Sequence, residues 1–181
     1  EGPVVLASPT YTSHRDAWTR ESRAPIEVSS VYSLPADAKI VVLVNPNNPD
    51  GRLIDVKSLI EIARTLSARG GYLVVDEAFA DVVPGATLLP HIGTENVVVL
   101  RSFGKFFGLA GLRIGFLAGE KTAISRMSGL LNSWSLSGPA LEIGARALRD
   151  STWQDRTTRQ LIEDMADLTV ALSEAGLSVF G

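Results

Sequence analysis

The sequence contains no cysteine, so neither a disulfide framework nor a thiolate metal site can be built from it. Imidazole is nearly as scarce, with His14 and His91 the only candidate ligands of that type. No run of about 20 apolar residues is present, and no signal-peptide pattern, which removes a transmembrane helix and makes a cytoplasmic location the expectation. An excess of positive charge is missing too. The formal net charge is −3, the pI is about 5.4, and the 17 basic residues are dispersed rather than striped. That is no electrostatic footprint for nucleic acid or an anionic membrane, so a small-molecule partner is expected. The glycine signatures of nucleotide folds are absent as well. There is no G-x-G-x-x-G, and Gly104-Lys105 lacks both the upstream glycine and the following Ser/Thr of a P-loop.

What remains is a chain of 181 residues, 45% hydrophobic, enough for one main domain with a substantial core. Short apolar runs recur at Val4 to Ala7, Ile40 to Val44, Tyr72 to Val75, Val97 to Leu100 and Ile114 to Ala118. Their apolar positions are consecutive rather than alternate, the pattern of strands buried on both faces of a parallel sheet. Between them, Asp55 is an N-cap for a helix whose Leu59, Ile62, Ala63 and Leu66 share a face and which Gly70-Gly71 stops. Strand, helix and strand together make a parallel crossover unit.

After Gly119 the pattern turns helical. Ala123, Met127 and Leu130 mark one helix; Pro139 opens another with Leu141, Ala145 and Leu148 aligned. Ser151 to Gln154 has capping-box spacing, and Leu161, Met165, Leu168 and Leu172 form the stripe of a long helix ended by Gly176. The fold class is therefore α/β. Glu1 in place of Met, and a strand-like "LSVFG" at the end, lead us to expect a piece of a longer protein.

Ligands of open parallel sheets bind beyond the carboxyl ends of the strands. Reading just past each strand finds "NPNNPDG" (Asn45 to Gly51), Asp76-Glu77, and Arg101, Ser102 and Lys105. Singly, each has an ordinary explanation: a turn, a surface or capping acid, a solvated lysine, and for Arg113 a surface ion pair. Taken together, their placement at one edge points to a shared ligand.

In this order and spacing, "NPNNPDG", "VVDEAF" and "SFGKFFGLAGLRIGF" resemble the fold-type I pyridoxal-phosphate enzymes of the aspartate-aminotransferase superfamily, nearest the threonine-phosphate decarboxylase and histidinol-phosphate aminotransferase branch. The resemblance implies a three-layer large domain with a mostly parallel sheet flanked by helices, truncated at both ends. Residues 1–150 would be the partial cofactor-binding domain, and 151–181 a long connecting helix and the start of a small C-terminal domain. It implies that Lys105 bonds covalently to pyridoxal phosphate and moves protons at the substrate's α-carbon. Asp76 would pair with the pyridine nitrogen, Asn48 would donate to the phenolic oxygen, and Ser102 and Arg113 would hold the phosphate. Tyr11 would stack on the ring. His14 matches a histidine that supports the aspartate in some members, and as an exposed loop residue it would have no such role. Many relatives carry a tyrosine where this chain has Phe79, which removes one donor to the phenolic oxygen.

By the same resemblance, "SLSGPALEIGARAL" and the lysine segment look more like the branch that decarboxylates L-threonine O-3-phosphate to aminopropanol phosphate for cobalamin biosynthesis than like histidinol-phosphate aminotransferases. An aminotransferase remains the alternative, and a ligand-sensing domain of a transcription regulator the second alternative. The residues upstream of Glu1 would discriminate that last reading. Family members are homodimers with amino-acid or amino-phosphate substrates, and the groups that orient substrate are expected outside these residues. For that reason the 181-residue chain alone is expected to be weakly active or inactive.

Overall fold

The structure is a computed structural model and describes residues 2–131 and 133–180. Its strands are β1 (Val4–Ala7), β2 (Ile26–Val28), β3 (Ile40–Val44), β4 (Tyr72–Asp76), β5 (Val97–Ser102) and β6 (Gly115–Gly119). Its α-helices are α1 (Thr12–Arg20), α2 (Val56–Ser67), α3 (Lys121–Ser128), α4 (Gly138–Arg149) and α5 (Ser151–Glu174). The strands form one sheet in the order β2-β1-β3-β4-β5-β6. All pairs from β2 to β5 are parallel, and β6 returns antiparallel to β5. This mixed, mostly parallel sheet with helices against it is the expected α/β class.

Alternation along the strands sorts side chains to the two faces. Val5, Val41, Leu43, Leu73, Val75, Val97 and Val99 point to one side, where α2 covers them with Leu59, Ile62, Ala63 and Leu66. Each such side chain, fully enclosed, contributes about 1.5–3 kcal/mol relative to exposure. As expected, α2 starts at Asp55, whose carboxylate accepts from the Ser58 N–H at 2.9 Å. Behind it Gly70 takes a φ of 67°, a left-handed turn that glycine adopts without a side-chain clash. On the other face Val4, Leu6 and Val42 form a smaller cluster, with Trp18 of α1 packed on it.

The structure corrects the sequence reading at several elements. β2 and α1 are additional. β6 is an edge strand rather than one buried on both faces, and its Phe116 is exposed. In α4 the enclosed residues are Ala140 and Gly144, while Leu141 and Leu148 are exposed. Small residues face inward there because α4 lies close on Phe103 and Ile114: a Cβ added at Gly144 would stand 3.0 Å from Ile114 Cδ1. The cap of α5 is Asp150, accepting from the Trp153 N–H at 2.9 Å, one residue before the expected Ser151. Gly176 does end that helix, with φ 79°. Among the described residues no helix is long and apolar enough to cross a membrane.

Candidate active site

Register brings Val44 opposite Asp76 and Asp76 opposite Leu100, so the carboxyl ends of β3, β4 and β5 lie level. Whatever follows these strands meets at one edge of the sheet.

The loop after β3 is built by two of its three asparagines. Asn45 donates from Nδ2 to the Ile54 carbonyl at 3.0 Å, and its Oδ1 accepts from the Ile54 N–H at 2.8 Å. Asn47, buried, donates to the Pro9 carbonyl at 2.9 Å and to Asp50 at 2.7 Å, and accepts from the Thr10 hydroxyl at 2.7 Å. The Asn47 amide, helped by the Arg52 N–H, holds the Asp50 carboxyl below the usual carboxylate range. With the backbone fixed by its neighbours, Asn48 lines the cavity beyond the strands.

Asp76 ends β4. One carboxylate oxygen accepts from the Ala78 N–H at 3.0 Å, and the other lies 2.9 Å from His14 Nε2. Side-chain exposures are 15% for His14 and 17% for Asp76. An ionised carboxylate only accepts, so Nε2 carries the hydrogen in this pair. His14 is thus not an exposed loop residue: α1 delivers it to the acid from 62 residues away. The ring of Tyr11 meets His14 edge-on at 6.0 Å.

Lys105 is exposed, in a turn closed by the Gly108 N–H donating to its carbonyl at 2.9 Å. Aromatic residues on either side anchor that turn. Phe103 is buried and stacks on Phe107 at 4.5 Å, while Trp153 of α5 packs on Phe106 at 5.3 Å and on Phe107 at 5.9 Å. The ammonium of Lys105 stands 5.5 Å from the centroid of Phe79.

Tyr11, Asn48, Asp76, Phe79, Ser102 and Lys105 all line one cavity of about 260 Å³. Arg113 does not. It lines an adjoining cavity of about 360 Å³, which shares Ser102 and Lys105 with the first. Its backbone is left-handed, with φ 55° and ψ 39°, a conformation that costs a non-glycine residue roughly 1–2 kcal/mol. Its guanidinium donates to the Ala110 carbonyl at 3.3 Å. Among the described residues no group of acids and histidines is placed to hold a metal ion.

An ionic cluster beside the cavity was not read from the sequence. Glu77, fully enclosed, accepts from Arg101 Nη1 at 3.1 Å, from the Thr87 hydroxyl at 2.6 Å and from the Leu88 N–H at 2.6 Å. The second arm of Arg101 donates to Asp81. Burial pushes the Asp81 carboxyl up, against the pull of Arg101. The residue types were visible in the sequence; the pairing across 24 and 20 positions was not.

The aminotransferase class I and II family model matches residues 1–181. A threonine-phosphate decarboxylase of Sinorhizobium sp. is 38% identical over 98% of this chain and 53% of its own length. A histidinol-phosphate aminotransferase of Legionella pneumophila (strain Philadelphia 1) is 38% identical over 69% of this chain and 34% of its own length. The chain thus spans about half the length of the first relative and a third of the second. Among solved structures, histidinol-phosphate aminotransferase from Sinorhizobium meliloti in complex with pyridoxal-5'-phosphate superposes with TM-score 0.83 at 22% identity, over 98% of this chain and 52% of that one. With an amide, an acid, an amine and an aromatic gathered at one edge of a matching sheet, and the family model covering its whole length, the chain belongs to the aminotransferase class I and II family.

Proposed function

We propose that the protein containing this chain is a pyridoxal-phosphate enzyme that decarboxylates L-threonine O-3-phosphate to aminopropanol phosphate, a step of cobalamin biosynthesis. The observation that carries the cofactor reading is the single cavity shared by Asn48, Asp76 and Lys105. The donor set fits that group: an amine for its aldehyde, an acid for its ring nitrogen, an amide for its phenolic oxygen, and a hydroxyl with a guanidinium next door for its phosphate. Bound, the pyridine ring supplies a sink for the electron pair released when a bond to the substrate's α-carbon breaks.

The chain's own residues set the conditions for that chemistry. Lys105 would hold the cofactor through its aldehyde, and its amine would move a proton at the substrate's α-carbon. Asp76 would keep a proton on the ring nitrogen, and the hydrogen from His14 Nε2 fixes the carboxylate's orientation. Tyr11 would cover the ring, and Ser102 and Arg113 would hold the phosphate end. Phe79 offers no hydroxyl, so Asn48 serves the phenolic oxygen without that help.

Decarboxylation is preferred over transamination because the decarboxylase is 38% identical over 98% of the chain, whereas a histidinol-phosphate aminotransferase of Mesorhizobium japonicum matched over 97% of it is 30% identical. Histidinol-phosphate transamination is the second reading, favoured by equal identity within the matched part. We assign residues 1–150 to the cofactor-binding domain and 151–181 to the connection toward a small domain, in a cytoplasmic homodimer. The test is direct. Full-length protein with pyridoxal phosphate should release carbon dioxide from threonine phosphate, and borohydride should fix the cofactor to Lys105 but not to a Lys105→Ala variant. Transamination of histidinol phosphate without carbon dioxide reverses the order of the two reactions. Attachment undiminished in Lys105→Ala ends the cofactor assignment.

A further inference from the structure

Glu77 follows Asp76 directly and Arg101 precedes Ser102 directly, at the level ends of neighbouring parallel strands. The Glu77 N–H donates to the Leu100 carbonyl at 2.9 Å, so the ladder continues to this point. By strand alternation Glu77 and Arg101 lie on the α2 side, while Asp76 and Ser102 lie on the other. Arg101 also lines the cavity, and Glu77 pairs with it from outside that lining.

Glu77 is held by Arg101, by the Thr87 hydroxyl and by the Leu88 N–H, which fix a carboxylate with no exposure to water. Arg101, 19% exposed, bridges it to Asp81 in the turn Ala80–Val82. A guanidinium between an enclosed carboxylate and a largely buried one is held in place, because its planar fork cannot turn without leaving one of them unpaired. The far side of the Lys105 turn is pinned by Phe103, Phe107 and Trp153. Its near side has Arg101 as the adjacent fixed point.

We propose that Arg101 is a positioning residue: clamped by Glu77 and Asp81, it sets where Ser102 and the Lys105 turn stand relative to Asp76. It rests on the reading of Lys105 and Asp76 as cofactor ligands. A purely structural ion pair would contribute to stability and leave the turn unaffected once the protein is folded.

The experiment uses the full-length protein in two arms, well below the melting temperature of every variant. In the first, without cofactor, amide hydrogen exchange is followed. Arg101→Gln should speed exchange in residues 102–108 while β3 and α2 keep wild-type protection, and Arg101→Lys, reaching one carboxylate, should restore part of it. In the second arm, absorbance titration with pyridoxal phosphate should show Arg101→Gln binding about tenfold more weakly, and kcat should fall by about 10²-fold with a smaller change in KM, since a small displacement of a reacting group costs that much. Glu77→Gln keeps the volume and the acceptor for Leu88 N–H, and should act in the same direction where Arg101→Gln folds poorly. Wild-type exchange at residues 102–108 in both folded variants overturns the proposal. If wild-type protein shows no Lys105-dependent absorbance, the cofactor reading falls, while the exchange arm still decides whether Arg101 holds the turn.

Discussion

At the scale of single residues, the site shows how polar groups acquire roles by subtraction. Asn45 is consumed within its own loop and Asn47 by bonds to Pro9, Thr10 and Asp50, and Asn48 is left lining the cavity. Asp76 keeps one oxygen for a backbone N–H and gives the other to His14. Replacing His14 by Ala should leave the fold intact and weaken pyridoxal-phosphate binding by roughly 10- to 100-fold, because a hydrogen bond to a charged group is worth about 1.5–3 kcal/mol; an absorbance titration of the full-length protein checks it. Phe79 offers a second measurement. Phe79→Tyr adds a donor beside Lys105, and a donor to the phenolic oxygen favours its deprotonated form. The pH midpoint of the Lys105-dependent absorbance should therefore fall, and an unchanged or raised midpoint would show that the new hydroxyl does not reach that oxygen.

At the scale of elements, α2 and the strands it covers were legible because their burial is one-sided and periodic. Leu59, Ile62, Ala63 and Leu66 recur at helical spacing, and they are the residues α2 buries. Leu73 lies in the middle of that packing with no exposure, so Leu73→Ala should cost about 2–5 kcal/mol in chemical denaturation. The start of α2 carries a pH signature. The Ser58 hydroxyl and then its N–H hold the Asp55 carboxyl below its ordinary value. A depressed carboxylate adds stability above its unfolded-state pKa and loses it as pH falls through the lower folded-state value. Asp50 acts in the same direction through Asn47. Thermal melts of Asp55→Asn should thus show a shallower acid limb than wild type. α4 was misread for a physical reason: Leu141 and Leu148 have the right periodicity, but close approach to Phe103 and Ile114 admits only Ala140 and Gly144. β2 and α1 gave little signal, since Ile26-Glu27-Val28 is short with a charge at its centre and α1 buries no residue fully.

At the scale of the whole molecule, the apolar surface is unevenly covered. Leu161, Met165 and Leu168 of α5 are 41%, 53% and 51% exposed, and Leu141, Ile143 and Leu148 of α4 are also open. Exposed apolar helix faces of this kind promote association. The 181-residue chain by itself should sediment as more than a monomer at micromolar concentration, and Leu161→Glu with Leu168→Glu should shift it toward monomer. A monodisperse monomer at all concentrations would count against this.

The sequence by itself determined the α/β class, the places of the longer strands, the start of α2, and the residue types that follow each strand. These are local properties, set by periodicity, capping and turn chemistry over a few neighbouring residues. Only the tertiary structure decided that His14 meets Asp76, that Arg101 is spent between Glu77 and Asp81, and that Arg113 faces the adjoining cavity rather than the first. The first two depend on strand register and on which side of the sheet Asp76 and Arg101 point, and the third on the left-handed turn at Arg113. A one-residue change in register would exchange the two faces, and nothing local in the chain records the outcome.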